Sequence, residues 1–130
     1  MFEEVKNIFI QAGFPRREIF DPAKRKNVPL EIGYKDTTVY FGIYLNKPSW
    51  WVIRAYVEAR KPRVGFNLPQ ELTSKMVLPT GTILPANSYA NFRISIDSIE
   101  DIRAIKDIVI AAINHTIQER NSMAATEASS

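Results

Sequence analysis

Residues 39–67 constrain the fold most, because apolar and polar side chains alternate there along runs that turn sequences separate. In residues 39–46 the apolar side chains fall on one face, and the "NKPS" that begins at Asn46 has the composition of a turn. The alternation resumes at Trp51 and leaves Trp50 on the opposite face. The pattern predicts an antiparallel meander with these core-facing side chains: Val39, Phe41, Ile43, Leu45, Trp51, Ile53, Ala55, Val57, Val64 and Phe66.

Two amphipathic stretches predict helices near the two ends of the chain. Residues 2–12 carry acidic residues in the first turn and end before Gly13, a residue that favours a helix stop. Residues 98–119 begin next to Asp97 and Glu100, which have capping-box spacing. The apolar faces are Phe2, Val5, Ile8, Phe9 and Ala12 in the first helix and Ile102, Ile105, Val109, Ile113 and Ile117 in the second.

The other segments carry weaker signals. Residues 30–34 and 91–96 each predict one short strand. Residues 14–30 predict a loop that prolines interrupt, and residues 68–90 predict an irregular stretch with one helical turn.

These elements predict an α+β fold. It contains an antiparallel sheet of about four strands in a meander, with the N-terminal helix and the long C-terminal helix packed on one face. We expect a single domain over residues 1–120 and a disordered tail over residues 121–130, where the sequence is small and polar.

Composition limits the classes of protein and site. The chain has 130 residues, enough for one domain with a sizeable core. It has no cysteine, which excludes disulfides, thiolate metal sites and cysteine nucleophiles and suits a reducing compartment. The first residues lack the features of a signal peptide, and no apolar run is long enough to span a membrane. We expect a cytoplasmic protein with no membrane partner and no cofactor.

Charge is distributed unevenly along the chain. The net charge is +3, but residues 13–67 hold eleven Lys and Arg against five Asp and Glu, a net of +6. The rest of the chain holds six against nine, a net of −3. A basic half favours anionic partners, nucleic acid first among them. The alternative is that these cations only keep loops soluble.

The sheet face away from the helices is the second candidate binding feature. Alternation places aromatic and basic side chains there, a combination that several binders of single-stranded nucleic acid use. Two alternatives stay open: an ordinary sheet face, since tyrosine and arginine pack well across strands, and a protein interface such as a homodimer contact. The predicted face comprises Tyr40, Tyr44, Arg54, Tyr56, Arg63 and Arg93, with Trp50 near a turn.

The two features together define the candidate residues for binding nucleic acid or another partner. Five lie in the predicted loop and the others in the strand-rich centre, including the basic turn "EARKPR". They are Arg16, Arg17, Lys24, Arg25, Lys26, Trp50, Arg54, Tyr56, Arg60, Lys61 and Arg63.

Signals for catalysis are few. The single histidine, His115, falls late in the C-terminal helix, and no nucleotide-binding, hydrolase or metalloprotease motif is present. One arrangement resembles a degenerate Mg²⁺-dependent nuclease: Asp36 precedes one strand, and Glu58 ends the next with Arg60 where such sites use lysine. We expect no catalytic residue and no metal, with this nuclease as the remaining enzymatic alternative.

Three segments carry a resemblance to a known family: "YKDT" (residues 34–37), "YFGI" (40–43) and "IDSIEDI" (96–102). They resemble a small C-terminal module of prokaryotic proteins whose N-terminal part is similar to the nuclease region of type I restriction enzyme R subunits. The resemblance covers about residues 32–113, and the turn "KPSWW" departs from the asparagine and basic residues of the family. It implies an association with DNA handling, restriction-modification or defence in prokaryotes or their viruses, without implying an activity or site residues.

The sequence therefore favours a non-enzymatic module that binds a macromolecule, with nucleic acid or a nucleic-acid-processing partner first. A homodimeric interaction domain that buries the aromatic sheet face is the main alternative, and the degenerate nuclease is the second.

Overall fold

Eight short strands and three helices make up the part of the chain that the computed structural model describes, namely residues 1–56, 62–76, 78, 81–86 and 90–129, with the backbone alone at 99 and 123–129. The elements are α1 (Phe2–Gln11), β1 (Glu18–Asp21), β2 (Lys26–Pro29), β3 (Ile32–Asp36), β4 (Phe41–Leu45), β5 (Trp51–Tyr56), β6 (Arg63–Phe66), α2 (Gln70–Thr73), β7 (Thr82–Leu84), β8 (Phe92–Ser95) and α3 (Lys106–Ser129), with 3-10 turns at Phe14–Arg16 and Ile99–Ile102.

The strands form two antiparallel sheets. The larger has six strands in the order β3-β4-β5-β6-β8-β7, and the smaller is the β1-β2 hairpin. The α+β class with a helix near each end is confirmed, but the sheet is larger than the predicted four strands. β7 and the hairpin lie in residues 68–90 and 14–30, where loops were expected. These strands have three or four residues each, too few for a period-2 pattern to stand out among prolines and lysines.

The core lies between the larger sheet and the two long helices. Val5, Ile8 and Phe9 of α1 are buried there, as predicted. The predicted stripe of the C-terminal helical region is buried as expected, since Ile105, Val109 and the other members have no exposed surface, although Ile102 and Ile105 precede α3. We call the sheet face that packs on α1 and α3 the inner face and the opposite one the outer face.

The start of the C-terminal helical region differs from the prediction. A 3-10 turn at Ile99–Ile102 precedes α3, which begins at Lys106. The capping carboxylate belongs to Asp101 rather than Glu100, and it accepts hydrogen bonds from the backbone N–H groups of Asp97 at 3.2 Å and Ser98 at 3.3 Å. The disordered tail over residues 121–130 stays a prediction, and α3 is described as far as Ser129.

A β-bulge interrupts the pairing of β4 with β5. Ile43 pairs with Ile53, whereas the next residue, Tyr44, pairs with Trp51. Val52 is therefore an extra residue in β5, and it shifts the alternation of side chains by one position.

The bulge reverses the predicted places of the two tryptophans. Trp51 joins its partner Tyr44 on the outer face and is half-buried. Trp50 turns to the core and is only 4% exposed, with its carbonyl accepting a hydrogen bond from the Leu45 N–H at 3.0 Å. The predicted arrangement, with Trp51 in the core and Trp50 outside, is wrong because alternation read from the sequence contains no signal for the extra residue. Val39, also predicted in the core, precedes β4 and is 53% exposed.

The turn between β4 and β5 ties the β1-β2 hairpin to the larger sheet. Asn46, which adopts a left-handed φ of 62°, accepts a hydrogen bond from the Glu31 N–H at 3.1 Å and donates one to the Pro29 carbonyl at 2.9 Å. Lys47 contacts the buried carboxylate of Asp21 at 2.9 Å. The turn therefore holds the β1-β2 hairpin at two residues, Pro29 and Asp21.

Asp21 also shapes the tip of the hairpin. Its carboxylate accepts hydrogen bonds from the backbone N–H groups of Ala23 at 2.9 Å and Lys24 at 3.4 Å. The hydrogen bond from Lys47 and these two backbone donors hold the pKa of Asp21 below its ordinary value, against the opposing effect of burial.

Replacement of Asp21 by Asn should change the acid stability of the protein. A carboxylate whose pKa is lowered by folding stabilises the native state above its ordinary pKa, and that contribution is lost as the pH falls through the lowered value. In the native protein we expect the free energy of unfolding to fall as the pH drops below about 4. Asp21→Asn should be less stable than the native protein at pH 7 and should lose less stability on acidification.

Urea unfolding followed by circular dichroism at several pH values tests this. Lys47→Ala removes the partner and not the carboxylate, so it should reduce the same pH-dependent component. Parallel pH profiles for the native protein and both variants would contradict the assignment.

Candidate functional site

The strand register brings a row of cations together on the outer face. The row crosses β3, β4, β5, β6 and β8, each residue being the registered partner of the next. Cations and glycines alternate along it in the order Lys35, Gly42, Arg54, Gly65 and Arg93. The glycines leave space between the long side chains, so the cations stand on alternate strands about 10 Å apart.

A second pair of residues adds to the charge. Tyr56 pairs with Arg63, which is exposed at the start of β6. Among the described strand residues that point to the outer face, four are cationic and none is a carboxylate. The described strand residues of the outer face therefore carry charge of one sign, whereas the chain as a whole has both signs and a net charge of +3.

Aromatic rings flank the row of cations, two of them lying over glycines. The ring of Tyr44 covers Gly33, its partner in β3, so closely that a Cβ on that glycine would lie 2.7 Å from Cζ. The ring of Tyr40 covers Gly42 in the same way, with 3.1 Å between such a Cβ and Cε2. A side chain at Gly33 would displace the Tyr44 ring, whereas one at Gly42 would require a smaller shift of the Tyr40 ring.

Arg54 occupies the centre of the aromatic group. Its guanidinium carbon lies 4.1 Å from the centroid of the Trp51 ring and 5.1 Å from that of Tyr40. These are cation–π distances, and they order the arginine between two rings. Arg54, Tyr56 and Arg63 were predicted on this face and lie there. Trp51 and Lys35 complete it and were missed.

Trp50, the predicted aromatic anchor, belongs to the core instead. Lys47 Nζ lies 5.0 Å from the centroid of its ring and the guanidinium carbon of Arg120 lies 5.1 Å from it. Its ring therefore connects the β4–β5 turn with α3, and it is too buried to contact a partner.

Part of the outer face is covered. Ala90 is buried on top of Gly65, where an added Cβ would lie 2.5 Å from the Ala90 Cβ. Arg93 donates a hydrogen bond to the Pro85 carbonyl at 2.9 Å, so its side chain is engaged within the protein. We call the remaining surface over β3, β4 and β5, which carries Lys35, Tyr40, Tyr44, Trp51, Arg54 and Tyr56, the open outer face. Lys35 is exposed there and the other five side chains are half-buried, with Arg54 Nε and Tyr56 OH out of contact with solvent.

The candidates near the start of the basic half lie elsewhere. Arg17 donates a hydrogen bond to Asn114 Oδ1 of α3 at 2.7 Å, and Arg16 is exposed beside it. Lys24, Arg25 and Lys26 are exposed at the tip of the β1-β2 hairpin, which packs on α3. The basic half of the sequence therefore divides into a helix-side group and an outer-face group. Arg60 and Lys61 lie outside the described residues.

The residues of the nuclease alternative do not form a site in the described part of the chain. Asp36 is the last residue of β3 and lies on the inner face with Phe41 and Tyr34, whereas Lys35 lies on the outer face. Glu58 lies outside the described residues. No group of three or more potential metal ligands occurs in the parts that the structure describes. His115 Nε2 lies 3.5 Å from Glu119 Oε1 on α3, away from the sheet.

Comparison with known proteins identified no relative: no family profile, no curated protein and no solved structure matches the chain. Among the described helices, none combines the length and apolar character needed to cross a membrane.

The two tryptophans should respond differently to substitution. Trp50→Ala removes a buried ring and should lower the free energy of unfolding by about 3–5 kcal/mol. Trp51→Ala removes a half-buried ring and one cation–π contact, and it should cost about 1 kcal/mol. Urea unfolding measures both values.

Fluorescence provides a second readout of the same assignment. In Trp50→Phe the remaining Trp51 should be quenched readily by iodide, whereas in Trp51→Phe the remaining Trp50 should be protected. Equal quenching and equal destabilisation of the two sites would contradict the bulged register.

Proposed function

We propose that the protein is a non-enzymatic module that binds nucleic acid through the outer face of its larger sheet. The observation that carries the proposal is the composition of this face: four cations, no carboxylate among the described strand residues, and aromatic rings beside the cations.

Nucleic acid supplies the chemistry that such a face lacks. Phosphates are the natural counterparts of the exposed Lys35 and Arg63, and their association with protein cations releases counterions. Base rings stack on aromatic side chains irrespective of sequence. Nucleic acid would thus both pair with the cations and stack on the aromatic rings.

The same charges argue against the homodimeric alternative at this face. In a symmetric dimer each copy presents the same patch, so Lys35 and Arg63 would meet a second set of cations, and the described strand residues of the patch include no carboxylate to neutralise them. Like charges facing each other disfavour association. A protein partner would need an acidic surface.

The cellular setting is a further part of the proposal. It rests on the resemblance of about residues 32–113 to modules that accompany nuclease regions similar to those of restriction enzymes. We propose that the protein acts in the cytoplasm of a prokaryote, or during viral infection of one, and contributes DNA binding to restriction-modification, defence or another DNA-handling system.

Salt dependence tests the electrostatic part of the proposal. The native protein should bind a fluorescent oligonucleotide at low salt, and the logarithm of the association constant should fall linearly with the logarithm of salt concentration. The double variant Lys35→Ala and Arg63→Ala should bind more weakly, and its slope should be smaller by about one for each cation that contacts phosphate.

A matched control uses two exposed lysines on the helices, Lys6 and Lys106. Their replacement by Ala changes the net charge equally and should leave the affinity and slope close to native values. No binding at low salt, or equal losses in the two double variants, would refute binding through the outer face. Light scattering that shows a dimer, together with loss of Trp51 quenching at high protein concentration, would favour the homodimer instead.

A further inference from the structure

We infer that the open outer face recognises unpaired nucleotides, with Tyr44 on Gly33 and Tyr40 on Gly42 acting as surfaces on which bases stack. This inference rests on the proposed function and adds to it the class of nucleic acid, a single strand, and two glycines that determine the specificity.

The glycines are the first step of the argument. Neither Gly33 nor Gly42 has a positive φ, whereas Gly13 at 83° and Gly81 at 85° do. The backbone conformation therefore does not require glycine at either strand position. Glycine within a strand weakens it, because it adds no packing and increases the entropy of the unfolded chain.

The glycines instead provide space for the rings of Tyr44 and Tyr40. A Cβ at Gly33 would lie 2.7 Å from Tyr44 Cζ and 2.8 Å from Cε2, so any other residue would displace that ring. A Cβ at Gly42 would lie 3.1 Å from Tyr40 Cε2. The two glycines thus allow both rings to lie against the outer face instead of projecting from it.

A cation lies beside the Tyr40 ring and beside Trp51, the strand neighbour of Tyr44. Tyr44 is the registered partner of Trp51, and Trp51 lies 4.1 Å from the guanidinium carbon of Arg54. Tyr40 lies over Gly42, which is the partner of Lys35 on one side and of Arg54 on the other. A base stacked on either ring would therefore place its phosphate near a cation, and three strands about 10 Å across hold about two to three nucleotides.

A duplex does not match this arrangement. Paired bases are stacked on one another and expose only their edges in the grooves, so they do not reach a ring that lies against a sheet. Unpaired bases expose their faces, and stacking on protein aromatics strengthens binding substantially for each base.

An abasic oligonucleotide separates stacking from phosphate contacts. We would compare a short fluorescent oligothymidylate, an abasic strand of equal length and a duplex of equal length at the same low salt. The native protein should bind oligothymidylate at least about fivefold more tightly than the abasic strand. Gly33→Ala keeps every aromatic and charged residue but displaces the Tyr44 ring, so it should reduce this ratio without changing the affinity for the abasic strand.

Two further variants complete the design. Tyr44→Leu removes the ring itself and should reduce the ratio similarly, which keeps the test valid if Gly33→Ala alters folding. Thr82→Ala, at an exposed position of β7, should retain the native ratio. The inference would be overturned if the native protein bound oligothymidylate and the abasic strand equally, or if Gly33→Ala and Tyr44→Leu both left the ratio unchanged. Nucleic-acid binding itself would remain intact in either case. Absence of binding to all three probes would instead refute the proposed function.

Discussion

The extra residue at Val52 determines how the centre of this fold is arranged. Without it, continuous alternation from Ile53 would place Trp51 inside and Trp50 outside. With it, Trp50 packs in the core between the cations of Lys47 and Arg120, and Trp51 joins the outer face. The same short turn also holds the β1-β2 hairpin through Asn46 and Lys47. One irregularity in one strand therefore sets the anchor of the core and the composition of the candidate site.

The two faces of the larger sheet have opposite chemical character. The centre of the inner face consists of fully buried apolar side chains such as Ile43, Ile53 and Phe66. The described strand residues of the outer face are mostly cations, aromatic residues and glycines, and Ala90 covers Gly65 of β6. Burial explains the centre of the first face. It does not explain why the described strand residues of the second include four cations and no carboxylate, since a surface kept soluble by charge normally mixes both signs.

Sequence periodicity predicted the elements whose apolar residues repeat several times. The stripe of the C-terminal helical region from Ile102 to Ile117 and the core positions Val64 and Phe66 follow directly from it. The strands β1, β2 and β7 were missed because prolines lie in or beside their three or four residues and obscure the alternation. The site was predicted in part: Arg54, Tyr56 and Arg63 followed from alternation, whereas Trp51 required the bulge, which alternation does not encode. The contact of Gly33 with the Tyr44 ring depends on the pairing of β3 with β4, so these two residues are adjacent in the site although they are distant in sequence.

The glycines connect stability with function in this sheet. Alanine at Gly33 or Gly42 would remove the entropic cost of glycine in the unfolded chain, and neither position has a backbone conformation that opposes the change. The entropy of the unfolded chain alone would therefore favour other residues at both positions, unless the position of the rings matters. The Tyr44 ring lies at the far end of a flexible side chain, so it can move away from a Cβ at Gly33. A requirement for glycine at these positions would then come from the placement of the rings on the outer face, where a ligand would contact them.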